Sequence, residues 1–231
     1  MTRPMVAALV DLVLPTTCAG CDAPGTAWCE RCAVRVAAAG PVPVVPRRPL
    51  PDLPPVTAAG LYTGALREAV NAYKEHGRHA LAALLGERLA VAVRAADGVL
   101  AGGPGVVLVP VPATAAAARR RYGDHMVRLA RRAATELSRA GVPAAVARPL
   151  VALPGPDFVG LTAPERLAAA AAGFTVRGGR VTPVRTAIAA GLRPVLVDDV
   201  MTTGATLAAA AARLHEAGIA VPAAAVVAAT P

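Results

Sequence analysis

Apolar residues fall along this chain in short runs separated by helix-length stretches of mixed character. Residues 56–62, 106–109 (Val-Val-Leu-Val), 149–153, 174–176, 194–197 and 222–228 read as strands. Several are continuous runs bounded by Pro, Gly or Thr, which suits strands buried on both faces. Between them, residues 63–75 read as a helix with Leu66, Val70 and Tyr73 on one face and Thr63 as a plausible cap. Residues 79–96 predict a second helix, a long Arg-rich helix runs from beyond Pro112 to about residue 140, and residues 206–217 predict another. Strands alternating with helices predict an α/β fold with a three-layer, open, mainly parallel sheet. Residues 154–172 mix prolines and glycines with a short helix after Pro164 and read as a flap. No internal repeat is present.

Proline divides the chain. Pro41, Pro43, Pro46, Pro49, Pro51, Pro54 and Pro55 crowd a short window with Arg47 and Arg48, an extended segment that cannot join a helix or a central strand. The expected organisation is a small N-terminal module over 1–40, a linker over 41–55 and a main domain over 56–231. Residues 5–14 read as a short amphipathic helix: Asp11 interrupts the apolar run, and the residues before Cys18 lack the small side chains of a cleavage site. The alanine-rich stretch 80–100 carries Glu87, Arg88, Arg94 and Asp97 and cannot cross a bilayer. A cytoplasmic protein with reduced thiols is expected, without membrane insertion. The formal charge of +9 points to anionic partners, phosphates or nucleic acid, or else to a basic but unengaged surface.

Cys18, Cys21, Cys29 and Cys32 form two Cys-x-x-Cys pairs, and the chain has no other cysteine. Thiolates at this spacing converge tetrahedrally on Zn²⁺. Two disulfides are disfavoured in a reducing compartment, and a redox site would use one such pair. Four sulfur ligands leave no open position, so the zinc expected here is structural and fastens a piece too small to hold its own core.

The stretch from Val195 to Thr206 carries the most chemistry. An apolar run meets Asp198 and Asp199, then the turn Thr202-Thr203-Gly204-Ala205-Thr206, then a helix. Ligands of open α/β folds collect at the carboxyl ends of strands. The turn's N–H groups and hydroxyls, with the helix dipole behind them, can surround a phosphate. The two carboxylates repel phosphate but accept hydrogen bonds from a ribose diol and attract Mg²⁺. An ATPase would need a Gly-rich loop closed by Gly-Lys-Ser/Thr, and a phospho-acceptor domain a lysine from a later strand. The only lysine is Lys74, which reads as a surface charge in preference to a phosphate contact. In the Arg-rich helix, Arg121, His125, Arg128, Arg132 and Arg139 recur on one stripe. That helix face is solvated, or it is a track for a nucleic-acid backbone, with Arg128, Arg132 and the neighbouring Arg131 as contacts. With few aromatics, such binding would be electrostatic and salt-sensitive.

The run from Val195 to Thr206 resembles the phosphoribosyl-diphosphate (PRPP) loop of type I phosphoribosyltransferases. Together with the four cysteines, Tyr62-Thr-Gly64-Ala-Leu66-Arg67, Lys74 and Gly77, Val107-Leu-Val-Pro-Val-Pro112, Val159-Gly160-Leu161 and Glu165-Arg166, it is similar to the ComF family, which includes competence proteins of DNA uptake. The resemblance covers nearly the whole chain. It implies a type I phosphoribosyltransferase fold and PRPP with Mg²⁺ as ligand. Asp198 and Asp199 would be the catalytic and ribose-binding acids, and Thr202, Thr203, Gly204, Ala205 and Thr206 the 5′-phosphate site. Val111, Arg119, Arg120 and Arg121 would lie by the pyrophosphate, and residues 154–172 would close over it. Transfer to a nitrogenous acceptor is one implied role. A PRPP-sensing module that engages single-stranded DNA or a DNA-translocating ATPase is the other. The chain departs from the family at Arg121-Tyr122-Gly123-Asp124-His125, where Arg-Gly-Phe-Asn-Gln is common, and at Phe158, where Gln usually stands.

Overall fold

Eight strands and seven α-helices are described in a computed structural model that covers residues 17–96, 103–120, 123–154 and 173–230. The expected helix over 5–14, Arg121 and almost all of the expected flap lie outside these residues.

The central sheet has the order β1 (Val42–Val44), β2 (Val56–Ala58), β8 (Ala223–Ala229), β7 (Leu192–Met201), β3 (Gly105–Pro110), β4 (Ala144–Val146). All neighbours pair in parallel except β1, which runs antiparallel along β2. The Pro-rich segment read as a linker therefore also supplies an edge strand, where Pro43 is tolerable because an outer edge needs no ladder donor. Pro194 sits inside β7, but one residue before pairing with β8 begins at Val195 and Ala223, so its missing N–H removes no bond on that side.

The period of two along the strands divides the interior into two cores. Val106 and Leu108 of β3 and Val195 and Val197 of β7 face one side. There they meet α2 (Gly64–Glu75), α3 (Ala82–Ala95) and α5 (His125–Arg139) through Leu66, Val70, Tyr73, Leu85, Leu89, Leu129 and Leu137. Val107, Val109 and Leu196 face the other side, against α6 (Thr182–Ala189) and α7 (Ala205–Glu216) through Val184, Leu207 and Leu214. Each fully buried leucine contributes about 2 kcal/mol of transfer free energy. Alanine supplies five of the seven residues of β8, so helices on both faces approach the sheet closely. At Gly86 of α3 an added Cβ would lie 2.3 Å from the Arg132 Cβ of α5, a crossing only glycine permits.

Three expectations are corrected. The first strand ends at Ala58, well short of residue 62. The helix expected over 79–96 begins as a 3-10 turn, His79–Leu81, before α3. The single Arg-rich helix is two: α4 (Ala115–Arg120) and α5, parted where Gly123 takes φ +124° and Asp124 starts a new helix. The Asp124 carboxylate accepts from the Val127 N–H at 3.2 Å, an N-cap that ends one helix's reach and begins the next. Thr63 does precede α2, but its hydroxyl makes no capping bond.

A separate antiparallel pair, β5 (Leu150–Ala152) and β6 (Phe174–Val176), joins the two ends of the expected flap, closed by the Leu153 N–H on the Gly173 carbonyl at 2.8 Å. The N-terminal module, with α1 (Glu30–Ala38), packs through Ala19, Val36 and Trp28 on the first core. No helix among the described residues is long and apolar enough to cross a membrane.

Candidate functional site

The chain leaves β3 towards β4 on one side and leaves β7 towards β8 on the other. The carboxyl ends of β3 and β7 thus flank a topological switch point, where connections diverge and open a crevice. Pro110 pairs with Val197, and the Val111 N–H donates to the Val197 carbonyl at 2.9 Å. β7 then runs on past the end of β3, so Asp198 and Asp199 lie beyond the rim, where Asp198, Val200 and Met201 still pair with β8.

The two acids differ in surroundings. Asp198 is partly exposed, and its Oδ1 accepts from the Asp199 N–H at 2.9 Å. Asp199 is buried, with 7% of its side chain exposed. Its Oδ1 takes a hydrogen bond from Lys74 Nζ of α2 at 3.1 Å; its Oδ2 lies 3.0 Å from the same Nζ and 2.7 Å from His125 Nε2 of α5. The two acids, expected to act together on a sugar, therefore stand in different surroundings. Asp199 points into the first core, where Lys74 pairs with it and His125 Nε2 lies within hydrogen-bond reach. Burial would raise the Asp199 carboxyl, but the Lys74 charge and the hydrogen bond and charge of His125 outweigh it and hold that group well below the ordinary range. Burial, then the Asp199 charge beside it, pushes Asp198 the other way, to about 8.

Lys74, expected on the surface, has only 23% of its side chain exposed. His125, expected on a solvated stripe, is 6% exposed. Its Nδ1 is buried with no hydrogen-bond partner, and its main-chain carbonyl accepts from the Tyr73 hydroxyl at 3.0 Å. Burial pushes that phenol up to about 12, so it remains a donor. The sequence held a signal for both residues. Lys74 stands four after Val70, and His125 four before Leu129, each in line with its helix's buried stripe.

After the acids comes the turn. Thr202 and Thr203 are exposed, and the Thr203 hydroxyl accepts from the Ala205 N–H at 3.3 Å. Gly204 is the N-cap of α7 in the left-handed region, at φ +84°. Ala205 and Thr206 open the helix, one residue earlier than expected, half-buried at the end where its dipole is positive. From outside, Leu50 and Leu53 of the Pro-rich segment lie against Gly204. The Thr230 hydroxyl donates to the Thr202 carbonyl at 3.3 Å and ties the turn to the end of β8.

Of the cationic candidates, Arg119 and Arg120 are exposed on α4, and Val111 is buried at 5% exposure. Arg131 and Arg132 are exposed on α5, whereas Arg128 is partly buried and its Nη1 lies 2.8 Å from His79 Nδ1. Those three arginines do not present one uniform face. A surface groove of 490 Å³, lined by Ala134, Thr135, Ser138, Arg139 and Ala144, lies towards the opposite end of α5 from His125.

The cysteine sulfurs all lie within 4.8 Å of one another, and Cys21 Sγ is 3.6 Å from Cys29 Sγ. Tetrahedral ZnS₄ with bonds near 2.3 Å sets its sulfurs about 3.8 Å apart, so the cluster is compatible with zinc. The Gly20 and Cys29 N–H groups lie 3.4 and 3.3 Å from Cys18 Sγ, the donors a bound thiolate requires. Burial would raise Cys18, but those two N–H groups prevail and lower it. The Ala23 backbone, then Arg31, brings Cys21 down to about 6, while burial and the neighbouring sulfurs push Cys32 up to about 12. Four thiols this close cannot all ionise without a cation among them.

No protein-family model matches this sequence, and a search of curated proteins returns no match.

Proposed function

We propose that the chain binds PRPP, as its Mg²⁺ complex, in the β3–β7 crevice and transfers the phosphoribosyl group to a nitrogenous acceptor, as the resemblance to the ComF family and to type I phosphoribosyltransferases implies. One observation carries this reading: a partly exposed acid and a hydroxyl-bearing turn at a helix start stand together at the sheet's switch point, where sugar phosphates bind in open α/β folds. Asp198 accepts hydrogen bonds from the ribose hydroxyls. The turn Thr202 to Thr206 donates to the 5′-phosphate, assisted by the α7 dipole. The bond from C1 to the diphosphate oxygen breaks, pyrophosphate leaves with the electron pair, and an acceptor nitrogen bonds to C1. Arg119 and Arg120, exposed on α4 beyond the end of β3, would meet the departing charge. Thermal unfolding tests the reading: saturating PRPP with Mg²⁺ raises the melting temperature of wild type but not of Asp198→Asn, and pyrophosphate is released with some base of a broad panel. A wild-type protein unmoved by PRPP overturns it.

The cysteine cluster takes one structural zinc ion in this reading, and four reduced thiols suit a cytoplasmic location. A second reading, engagement of single-stranded DNA or a DNA-translocating ATPase, is favoured by the exposed heads of Arg131 and Arg132 on a chain of formal charge +9.

A further inference from the structure

Both oxygens of Asp199 are already engaged. A carboxylate offers about four lone-pair sites, and Lys74 at 3.1 and 3.0 Å and His125 at 2.7 Å engage both of its oxygens. With only 7% of its side chain exposed, Asp199 could reach a sugar hydroxyl or a cation at the rim only by turning away from these partners, and breaking the buried pair with Lys74 is strongly unfavourable. Asp198 differs. One of its oxygens is fixed by the Asp199 N–H at 2.9 Å, and the side chain is partly exposed at the rim.

The contacts of Asp199 join three elements. Consecutive residues of α2 hold the start of α5 and the end of β7: the Tyr73 hydroxyl bonds the His125 carbonyl, while Lys74 bonds the carboxylate that His125 also holds. Strand β7 leads within three residues to the turn at Thr202. A strand end gripped from two helices cannot rotate without breaking both grips.

We infer that Lys74, His125 and Asp199 form a positioning unit that fixes Asp198 and the turn behind it, so that Asp198 alone of the two acids meets the sugar. This rests on the PRPP reading above. None of the three is a catalytic residue; they act through the geometry of Asp198.

The test compares PRPP dissociation constants, with MgCl₂ present and well below each protein's melting temperature. The proteins are wild type, Asp198→Asn, the paired variant Lys74→Met/Asp199→Asn, His125→Gln and His125→Leu. The paired variant removes charge and counter-charge together, whereas Lys74→Met alone would leave a buried carboxylate uncompensated. Expected are a loss of about a hundredfold or more for Asp198→Asn and about tenfold for the paired variant, corresponding to about 1.4 kcal/mol. His125→Leu should weaken binding similarly, and His125→Gln, which keeps a donor at the same reach, should restore it. Binding by the paired variant within twofold of wild type would make the unit merely structural and overturn the inference. A loss equal to that of Asp198→Asn would make Asp199 a direct ligand and overturn it as well. Absence of PRPP binding by wild type is the distinct failure of the reading beneath.

Discussion

Gly204 stands where the PRPP reading meets backbone geometry, and replacing it gives a graded test. At φ +84° and ψ −3° an alanine adopts the left-handed region, at a cost of about 1–2 kcal/mol. Its Cβ would also stand 2.9 Å from Met201 Cε, 3.1 Å from Leu53 Cδ2 and 3.4 Å from Leu50 Cδ1. Those atoms are the ends of flexible side chains, so moving them off their rotamers adds about 1 kcal/mol. The sum is about 2–3 kcal/mol, which for a chain of this size lowers the melting temperature by about 4–12 °C. Asn, which tolerates left-handed backbone, should lose less, and Val, branched at Cβ, more. Calorimetric melts of the Gly204→Asn, Gly204→Ala and Gly204→Val proteins should therefore fall in that order, with the PRPP-induced shift shrinking in parallel as the turn is pushed out of shape. A Gly204→Ala protein melting within a degree of wild type would refute the left-handed turn and the phosphate cradle built on it.

Other perturbations address the remaining parts. Because burial and the Asp199 charge raise Asp198 to about 8, the folded state holds a proton there that the unfolded chain releases near 3.8, so this residue's contribution to stability falls as pH rises towards 8. Asp198→Asn should accordingly melt higher than wild type above pH 8 and no higher below about pH 4, while losing the PRPP shift. Elemental analysis should find zinc in the purified protein. Its removal by chelator, or Cys32→Ser, should lower the melting temperature and shift the emission of Trp28, which packs beside the module on the first core, to the red. On the nucleic-acid reading, Arg131→Glu/Arg132→Glu should weaken single-stranded DNA binding and flatten its dependence on salt by about two counterions, as binding isotherms at several salt concentrations would reveal.

The strands flanking the crevice were legible in the sequence because uninterrupted β-branched and leucine runs have few other uses at that length; 106–109 and 194–197 both lie within longer strands. The chemistry-bearing turn and the cysteine cluster were legible for a related reason, since their spacings are local. What sequence reading missed was long-range. Lys74 and Asp199 are 125 positions apart and meet only because the helix packs against the sheet. His125 was assigned to the wrong face through a count of charges along a supposed continuous helix. Gly123 and Asp124 restart that helix, and the apolar stripe of the new one, Met126, Leu129, Ala130, Ala133 and Leu137, turns His125 inward. Arg128 likewise lies against a histidine that no spacing rule would have paired with it.

The docking of the cysteine module limits how this protein can be taken apart. A Cβ on Gly20 would stand 2.8 Å from the Ala65 Cβ of α2, and Arg78, just past the other end of that helix, donates to the Thr17 and Ala27 carbonyls. One helix is thereby stapled at both ends to the cysteine segment while its Lys74 reaches Asp199. A recombinant fragment starting at the proline-rich stretch would bare Ala65 and leave the Arg78 guanidinium without those two acceptors. The two portions should therefore unfold together, and exchanging the cysteine segment between homologues would require exchanging the helix with it.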